Sequence, residues 1–188
     1  MSHRAGLTTE IVVDTAMKIA DKEGLERLTL YRIAEELGVK PPSLYEHVKG
    51  TDDLIKLLRL KGLKLMAQKL QHAVIGVSGD DAIKAFADSF RLFIKKHPAV
   101  YSLTVKSDVA DSKDVTSAAE EIIDTIYAVL KIYGIKEEKL VHATRYLRSV
   151  LHGFVSLEMS GGFGIKICPD KSFEMIKEII ISNMKYWV

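Results

Sequence analysis

The chain has 188 residues, of which 47% are hydrophobic and 28% are charged, and its formal net charge is +2. This globular composition supports a well-buried core, and the single cysteine, Cys168, excludes an intrachain disulfide. No apolar run resembles a signal peptide or reaches the roughly 20 residues of a membrane span, so we expect a cytoplasmic protein with no membrane partner. With so small a net charge, any nucleic-acid contact must use a local basic patch.

Helical periodicity marks every predicted element, and strand alternation is not evident in any segment. Thr29 is placed to cap the second helix and Gly38 to end it, while Thr51 is placed to cap the fourth. In chain order, the predicted helices cover residues 8–23, 29–37, 41–48, 51–76, 80–97, 98–105, 111–133, 136–160 and 170–187.

These roughly nine helices predict an all-α fold in two parts. The first part is an N-terminal three-helix unit with helix-turn-helix geometry, because the tight turn GVK follows the second helix and a short exposed helix follows the turn. A long helix from Thr51 joins it to a larger helical bundle. We therefore expect one domain at residues 1–50 and a second at residues 51–188.

The third predicted helix opens on two adjacent prolines. Proline is tolerated at the first turn of a helix, because the N–H groups there have no intrahelical partner. Leu44 and Val48 are spaced to face the core. The residues that then project outward or sideways are Pro41, Pro42, Ser43, Tyr45 and His47.

This outward surface suits a DNA groove. Proline and tyrosine carbons can meet a thymine methyl group, and Ser43 and the Tyr45 hydroxyl can donate hydrogen bonds to bases or phosphates. Lys40 and Lys49 bracket the helix as phosphate partners, and Arg4 in the N-terminal arm is a further candidate for the DNA backbone.

The segment LTLYRIAEELGVKPPSLYEHVKGTDDL, residues 28–54, resembles the TetR family of bacterial transcriptional regulators. The shared pattern is a helix led by threonine, the letters IA and LGV, a small residue followed by LY, and a polar turn into the next helix. The resemblance implies a homodimeric repressor whose residues 1–50 bind a palindromic DNA operator. It also implies that residues 51–188 bind a small-molecule effector and dimerise, and it implies neither a cofactor nor an enzymatic activity.

Individual roles follow from the same resemblance. It implies that the outward residues of the third helix face DNA, and that Thr29 and Tyr31 lie at the phosphates with Lys40 and Lys49. The family often has a lysine at the start of the fourth helix, where this chain has Thr51. Lys49 or the amides at the helix end would then supply that phosphate contact.

The segment RYLRSVLHGFVSLEMSGGFG, residues 145–164, resembles the ligand-domain helix of a TetR subgroup named for a Trp-His-Gly tag. The tag is Leu151-His152-Gly153 in this chain, so the tryptophan is absent. Several aromatic residues and one histidine are candidates for an effector pocket, although we expect most of the aromatics to be core residues. They are Phe86, Phe90, Phe93, Tyr101, Tyr127, Tyr146 and His152.

His152 on an apolar helix is more often a buried hydrogen-bonding residue than a ligand contact. His142 lies ten residues before it on nearly the same helix face, but no cysteine or carboxylate is placed on that helix to complete a metal site. We therefore expect no metal.

Two other classes of protein remain open from the sequence. One is an architectural DNA-binding protein without an effector, which would leave the large helical bundle without a task. The other is an all-helical small-molecule carrier or enzyme. The segment GGFG lies between helices rather than in a strand-to-helix unit, so it does not indicate a nucleotide site.

Overall fold

The computed structural model describes residues 6–105 and 112–188, and these residues form helices but no strand. The α-helices are α1 (Thr9–Glu23), α2 (Leu30–Leu37), α3 (Thr51–Ala73), α4 (Gly79–Lys96), α5 (Pro98–Thr104), α6 (Lys113–Lys131), α7 (Glu137–Met159) and α8 (Pro169–Asn183). A 3₁₀ helix, Pro41–Glu46, lies between α2 and α3, and shorter 3₁₀ turns cover Leu25–Arg27 and Met184–Tyr186. Within the described ranges, the eight α-helices and the helix Pro41–Glu46 confirm the predicted all-α fold of about nine helices.

Two predicted helices differ from the structure in their details. The third is a 3₁₀ helix that ends at Glu46, before the predicted end at Val48. The fourth, α3, includes Thr51 as its first residue, so the prediction that Thr51 caps it from outside is wrong. The N–H of Leu54 donates to the carbonyl oxygen of Gly50 at 3.1 Å, which places Gly50 at the cap position.

The chain divides into two compact units. The first comprises Met1–Lys64 and His97–Val115, and the second comprises Leu65–Lys96 and Thr116–Val188, each as far as its residues are described. Helix α3 continues from the first unit into the second at Lys64. Helix α5 belongs to the first unit, although α4, which precedes it in the chain, belongs to the second.

In the first unit, α1 packs against both α2 and α5. The Asp21 carboxylate at the end of α1 lies 2.6 Å from His97 Nδ1 and accepts a 3.5 Å hydrogen bond from the N–H of Val100, so it holds the N-terminus of α5. Gly62 allows α3 to pack closely against α5, because a Cβ atom at this position would overlap Val100 Cγ1. Helix α5 is therefore enclosed by both α1 and α3.

In the second unit, α4 packs against α7 and α8 through a buried apolar face that includes Phe86, Phe90 and Phe93. Ion pairs follow the edge between α4 and α8, and their order shows that the two helices run antiparallel. The pairs are Lys84 with Glu178 at 2.7 Å, Asp88 with Lys177 at 2.7 Å, and Arg91 with Asp170 at 2.7 Å.

Among the described residues, no helix combines the length and hydropathy that crossing a bilayer requires.

Candidate functional site

A glycine in the left-handed backbone conformation ends α2 and turns the chain toward the helix Pro41–Glu46. Gly38 has φ 64° and ψ 31°, a conformation that favours glycine because a Cβ atom would be strained there. Its N–H donates to the carbonyl oxygens of the last turn, and the N–H of Val39 donates to the Ala34 carbonyl oxygen at 3.0 Å. Lys40 is extended, with φ −79° and ψ 140°, as the residue before a proline should be.

Arg32 fixes α2 onto the end of α1. Its Nε and Nη2 atoms donate to the Glu23 carboxylate at 3.2 and 2.8 Å, and its Nη1 atom lies 2.9 Å from the Glu36 carboxylate. The hydrogen bonds from Arg32 lower the pKa of Glu23 below its ordinary value. The paired contact to Glu23 fixes direction as well as distance, so it holds the start of α2 against the end of α1.

The helix Pro41–Glu46, which we call the recognition helix, sorts its residues into rows, because a 3₁₀ helix repeats every three residues. The inner row contains Pro41, Leu44 and His47. Leu44 is fully buried, whereas Pro41 and His47 are half-buried. The two outer rows contain Pro42 with Tyr45, and Ser43 with Glu46, and all four are exposed.

Two tyrosines stand out on the surface of the first unit. Tyr31 at the start of α2 exposes 71% of its surface, and Tyr45 on the recognition helix exposes 60%. A folded domain gains little from rings placed in this way, so both tyrosines are candidates for contact with another molecule.

All of the residues that the sequence predicts at DNA and that the structure describes lie in the first unit. Those that are exposed are Thr29, Tyr31, Lys40, Pro42, Ser43, Tyr45 and Lys49. Thr29 has a second task, because its Oγ1 atom accepts a 3.1 Å hydrogen bond from the N–H of Arg32 as the predicted N-cap of α2. Arg4 lies outside the described residues.

The end of the recognition helix is held on both sides. The Thr9 hydroxyl lies 3.5 Å from the His47 carbonyl oxygen, and the N–H of Lys49 donates to the Asp53 carboxylate at 2.8 Å. These contacts hold the backbone of Lys49 while its side chain stays exposed. The exposed Glu46 is absent from the residues that the sequence predicts at DNA, although helical spacing already places it opposite the buried Leu44 and Val48.

The effector candidates are distributed over both units. Phe86, Phe90 and Phe93 are buried in the core of the second unit, and the rings of Phe86 and Phe90 stack with centroids 6.3 Å apart. Tyr127, Tyr146 and His152 are half-buried in the same unit, whereas Tyr101 is half-buried on α5 in the first. The Tyr146 hydroxyl accepts a 2.9 Å hydrogen bond from Asn183.

Two features of the second unit escape sequence reasoning. The Oγ1 atom of Thr144 on α7 is buried without a hydrogen-bond partner among the described residues. Arg91 on α4 lies 2.5 Å from Glu158, also contacts Asp170, and lies over the ring of Phe173 at 4.7 Å. Neither feature leaves a sequence signal, because each depends on which side chains the helices bring together.

Two surface clefts of the second unit are lined by residues other than these aromatic ones. One, of about 420 Å³, is lined by Lys131, Gly134, Ile135, Lys136, Glu137 and Leu140. A smaller one, of about 140 Å³, lies between the end of α3, the start of α4 and the end of α6. Over residues 6–105 and 112–188, no group of three histidine, cysteine or carboxylate side chains is arranged to hold a metal ion.

Comparison with known proteins adds family matches to both parts of the chain. Residues 12–58 match the model described as bacterial regulatory proteins, tetR family, and residues 83–179 match the one described as Tetracyclin repressor-like, C-terminal domain. An uncharacterized HTH-type transcriptional regulator of Mycobacterium tuberculosis is 34% identical over 158 residues, which are 84% of this chain and 72% of that protein. The chain belongs to the TetR family.

A second relative of this TetR-family protein is also named as a transcriptional regulator. The uncharacterized HTH-type transcriptional regulator YobS of Bacillus subtilis is 33% identical over 158 residues, which cover 84% of this chain and 82% of that one. These relatives are transcriptional regulators, so this TetR-family protein is a transcriptional regulator and not an enzyme.

Solved structures share the TetR fold of the chain. A protein of unknown function from Rhodococcus sp. RHA1 matches with a TM-score of 0.84 at 17% identity, over 97% of this chain and 98% of that one. A TetR variant from Acinetobacter baumannii AYE, solved in complex with minocycline, matches with a TM-score of 0.69 at 19% identity, over 96% of this chain and 98% of that one. Identities this low support the fold alone.

Proposed function

We propose that this TetR-family regulator is a cytoplasmic repressor that binds a palindromic operator as a homodimer and leaves it when a small, largely hydrophobic effector binds. Residues 1–50 supply the DNA contacts, and residues 51–188 bind the effector and dimerise. The observation that carries the proposal is the pair of outer rows on the recognition helix, where Tyr45, Pro42 and Ser43 are exposed beside the buried Leu44.

The DNA contacts divide by chemistry. The outer rows of the recognition helix enter the major groove, where Tyr45 packs against base edges and Ser43 donates a hydrogen bond. Lys40, Lys49, Thr29 and Tyr31 contact phosphates on either side, which sets the register of the protein on the duplex. Pro41 and His47, being half-buried, contribute mainly through their exposed edges.

The homodimer forms through α7 and α8. The outer face of these helices exposes large apolar side chains, with Leu157 at 51%, Met175 at 65% and Ile179 at 52%. A second copy related by a two-fold axis would cover these residues in a four-helix bundle. The same axis then presents two recognition helices to the two halves of a palindrome.

The effector site is proposed in the second unit, among the half-buried Tyr127, Tyr146 and His152 and the buried rings of α4. Thr144 supports this proposal, because a buried hydroxyl without a partner is costly unless a bound molecule pairs with it. Tyr101 belongs to the first unit and is not included in this proposed site. The related fold of ActR from Streptomyces coelicolor was solved in complex with (S)-DNPA.

Release from DNA requires that the effector bind the released conformation more tightly than the DNA-bound one. A shift of the population from 1:99 to 99:1 needs a preference of about 10⁴-fold, which two subunits can share. Helix α3 carries this change, because it continues from the first unit into the second.

The test begins with selection of bound sites from random duplexes by the purified chain, followed by a screen for compounds that release the selected duplex. A shared palindromic motif and a releasing compound are expected. Enlargement of the buried Ala143, as in Ala143→Val, should then change the response to that compound more than the affinity for DNA alone. No enriched motif would contradict the DNA-binding part, and a response unchanged by Ala143→Val would place the effector elsewhere.

A further inference from the structure

One carboxylate lies on the surface that we propose to face DNA. Glu46 shares an outer row of the recognition helix with Ser43 and is exposed. Two other glutamates of the same unit have a partner within the fold, since Glu23 and Glu36 both pair with Arg32. Over residues 6–105 and 112–188, no hydrogen bond or ion pair involves the carboxylate of Glu46.

A free carboxylate at this place is unfavourable against DNA in general. The duplex carries a negative charge about every 1.7 Å along its axis, so Glu46 opposes binding to any sequence. The opposition is relieved where a base offers a hydrogen-bond donor in the major groove. The available donors there are the amino groups of cytosine, N4, and of adenine, N6.

The two donors are not equivalent for a carboxylate. Adenine presents the acceptor N7 beside its N6 amino group, and this second acceptor repels a carboxylate. Cytosine presents its N4 amino group without another acceptor on the same base edge, and a carboxylate is a suitable partner for it. A glutamine in the same place would instead pair with adenine N6 and N7 together.

We propose that Glu46 is a specificity-determining residue, whose carboxylate accepts a hydrogen bond from cytosine N4 in each half of the operator and disfavours all other duplexes. The inference rests on the proposed function, in which the recognition helix enters the major groove. Its consequence is twofold: a cytosine at one pair of symmetry-related operator positions, and a weakened affinity for unrelated DNA.

The experiment uses the full chain as wild type, Glu46→Ala and Glu46→Gln, with Glu120→Ala as the matched control, because Glu120 is exposed on α6 in the other unit. Sites are selected from random duplexes with each protein. Affinities are then measured by fluorescence anisotropy for the wild-type site, for sites with each other base at every position, and for a scrambled duplex.

Wild type should prefer cytosine at one symmetry-related pair of positions by about 5- to 100-fold over other bases. Glu46→Ala should lose the preference at that pair alone and bind the scrambled duplex more tightly, while Glu46→Gln should shift the preference toward adenine. Glu120→Ala should behave as wild type.

An unchanged base preference in Glu46→Ala, or an unchanged affinity of this variant for scrambled DNA, overturns the proposal for Glu46. That result leaves the proposed function standing if Tyr45→Ala still weakens binding to the selected site. If wild type selects no motif at all, the proposed function fails and the assignment of Glu46 fails with it.

Discussion

Leu44 and Tyr45 are neighbours in the sequence with opposite environments. Leu44 is fully buried beneath the recognition helix, whereas Tyr45 exposes 60% of its surface. Burial of a leucine side chain contributes about 1.5–3 kcal/mol to folding, and an exposed ring contributes little. The two residues therefore allow the stability of the first unit to be separated from its contact with DNA.

Tyr45→Ala should weaken binding to the selected operator by about 1–3 kcal/mol, because the ring packs on the duplex, and should change the free energy of unfolding by less than about 0.5 kcal/mol. Leu44→Ala is the matched control and should lose about 2–5 kcal/mol of stability. Anisotropy titration and thermal unfolding of both variants provide the measurements. Full operator affinity in Tyr45→Ala would remove Tyr45 from the interface.

At the level of single residues, the sequence predicts the burial of a side chain wherever that burial follows from helical spacing. Leu44 and Val48 are buried as predicted, and Thr29 caps α2 as predicted. Pro41 and His47 are expected to project outward or sideways, and in the structure both are half-buried, whereas the neighbouring Glu46 is exposed. A period of 3.6 residues also places Pro41 and His47 beside the buried face and Glu46 opposite it, so the spacing alone could have indicated this arrangement.

At the level of elements, Thr29 and Gly38 correctly predicted the two ends of α2, because caps act within a few residues of the chain. Local signals of this kind could not predict that α5 belongs to the first unit. That assignment depends on contacts between distant parts of the sequence, in which Asp21 holds His97 and Gly62 admits Val100.

Gly62→Ala tests the close approach of α3 and α5. The added methyl group overlaps Val100 Cγ1, so we expect a loss of about 1–3 kcal/mol in the free energy of unfolding, against the roughly 1 kcal/mol that alanine gains over glycine within a free helix. Val100→Ala removes the colliding atom, and the double variant should be more stable than the sum of the single changes predicts. Strict additivity, or a stabilised single variant, would contradict this packing.

The charged cluster on α4, α7 and α8 makes the stability of the second unit sensitive to acid. The hydrogen bonds that Arg91 donates to Glu158 and Asp170 lower the pKa of both carboxyls. Since a lowered pKa means that the unfolded chain binds protons first, this stabilisation is present at neutral pH and lost as the pH falls below about 4.

The melting temperature should therefore fall between about pH 5 and pH 3, and it should fall less steeply in Glu158→Gln, which cannot titrate. Glu120→Gln changes an exposed carboxyl and should follow the wild-type curve. Melting curves of the three proteins across this pH range supply the test. Parallel curves for wild type and Glu158→Gln would show that the cluster does not contribute to acid sensitivity.

At the level of the whole molecule, the all-α fold and the family could be predicted from the sequence, because helical spacing and the helix-turn-helix motif are local. The effector site could not be, since aromatic residues on amphipathic helices fit a core and a cavity equally well. Phe86, Phe90 and Phe93 are buried. The unpaired buried hydroxyl of Thr144 can be identified only from the packing of the helices.

The dimer is a prediction at this scale. Light scattering at micromolar concentration should give about twice the chain mass of 21.0 kDa. Met175→Lys and Ile179→Lys together should shift the protein toward the monomer, because they place charges on the proposed apolar interface. Leu92→Lys is the control, since Leu92 is equally exposed but lies on α4. A wild-type monomer would refute the prediction. If only Leu92→Lys shifts the protein toward the monomer, the dimer interface lies on α4 and not on α8.

The most direct test of the account is the ratio of affinities of the wild-type chain for its selected palindrome and for a scrambled duplex, measured by anisotropy at about 0.15 M salt. We predict a ratio of at least about 10³, with two chains bound to each palindrome. Equal affinities for the two duplexes, or one chain per palindrome at saturation, would contradict a sequence-specific dimeric regulator.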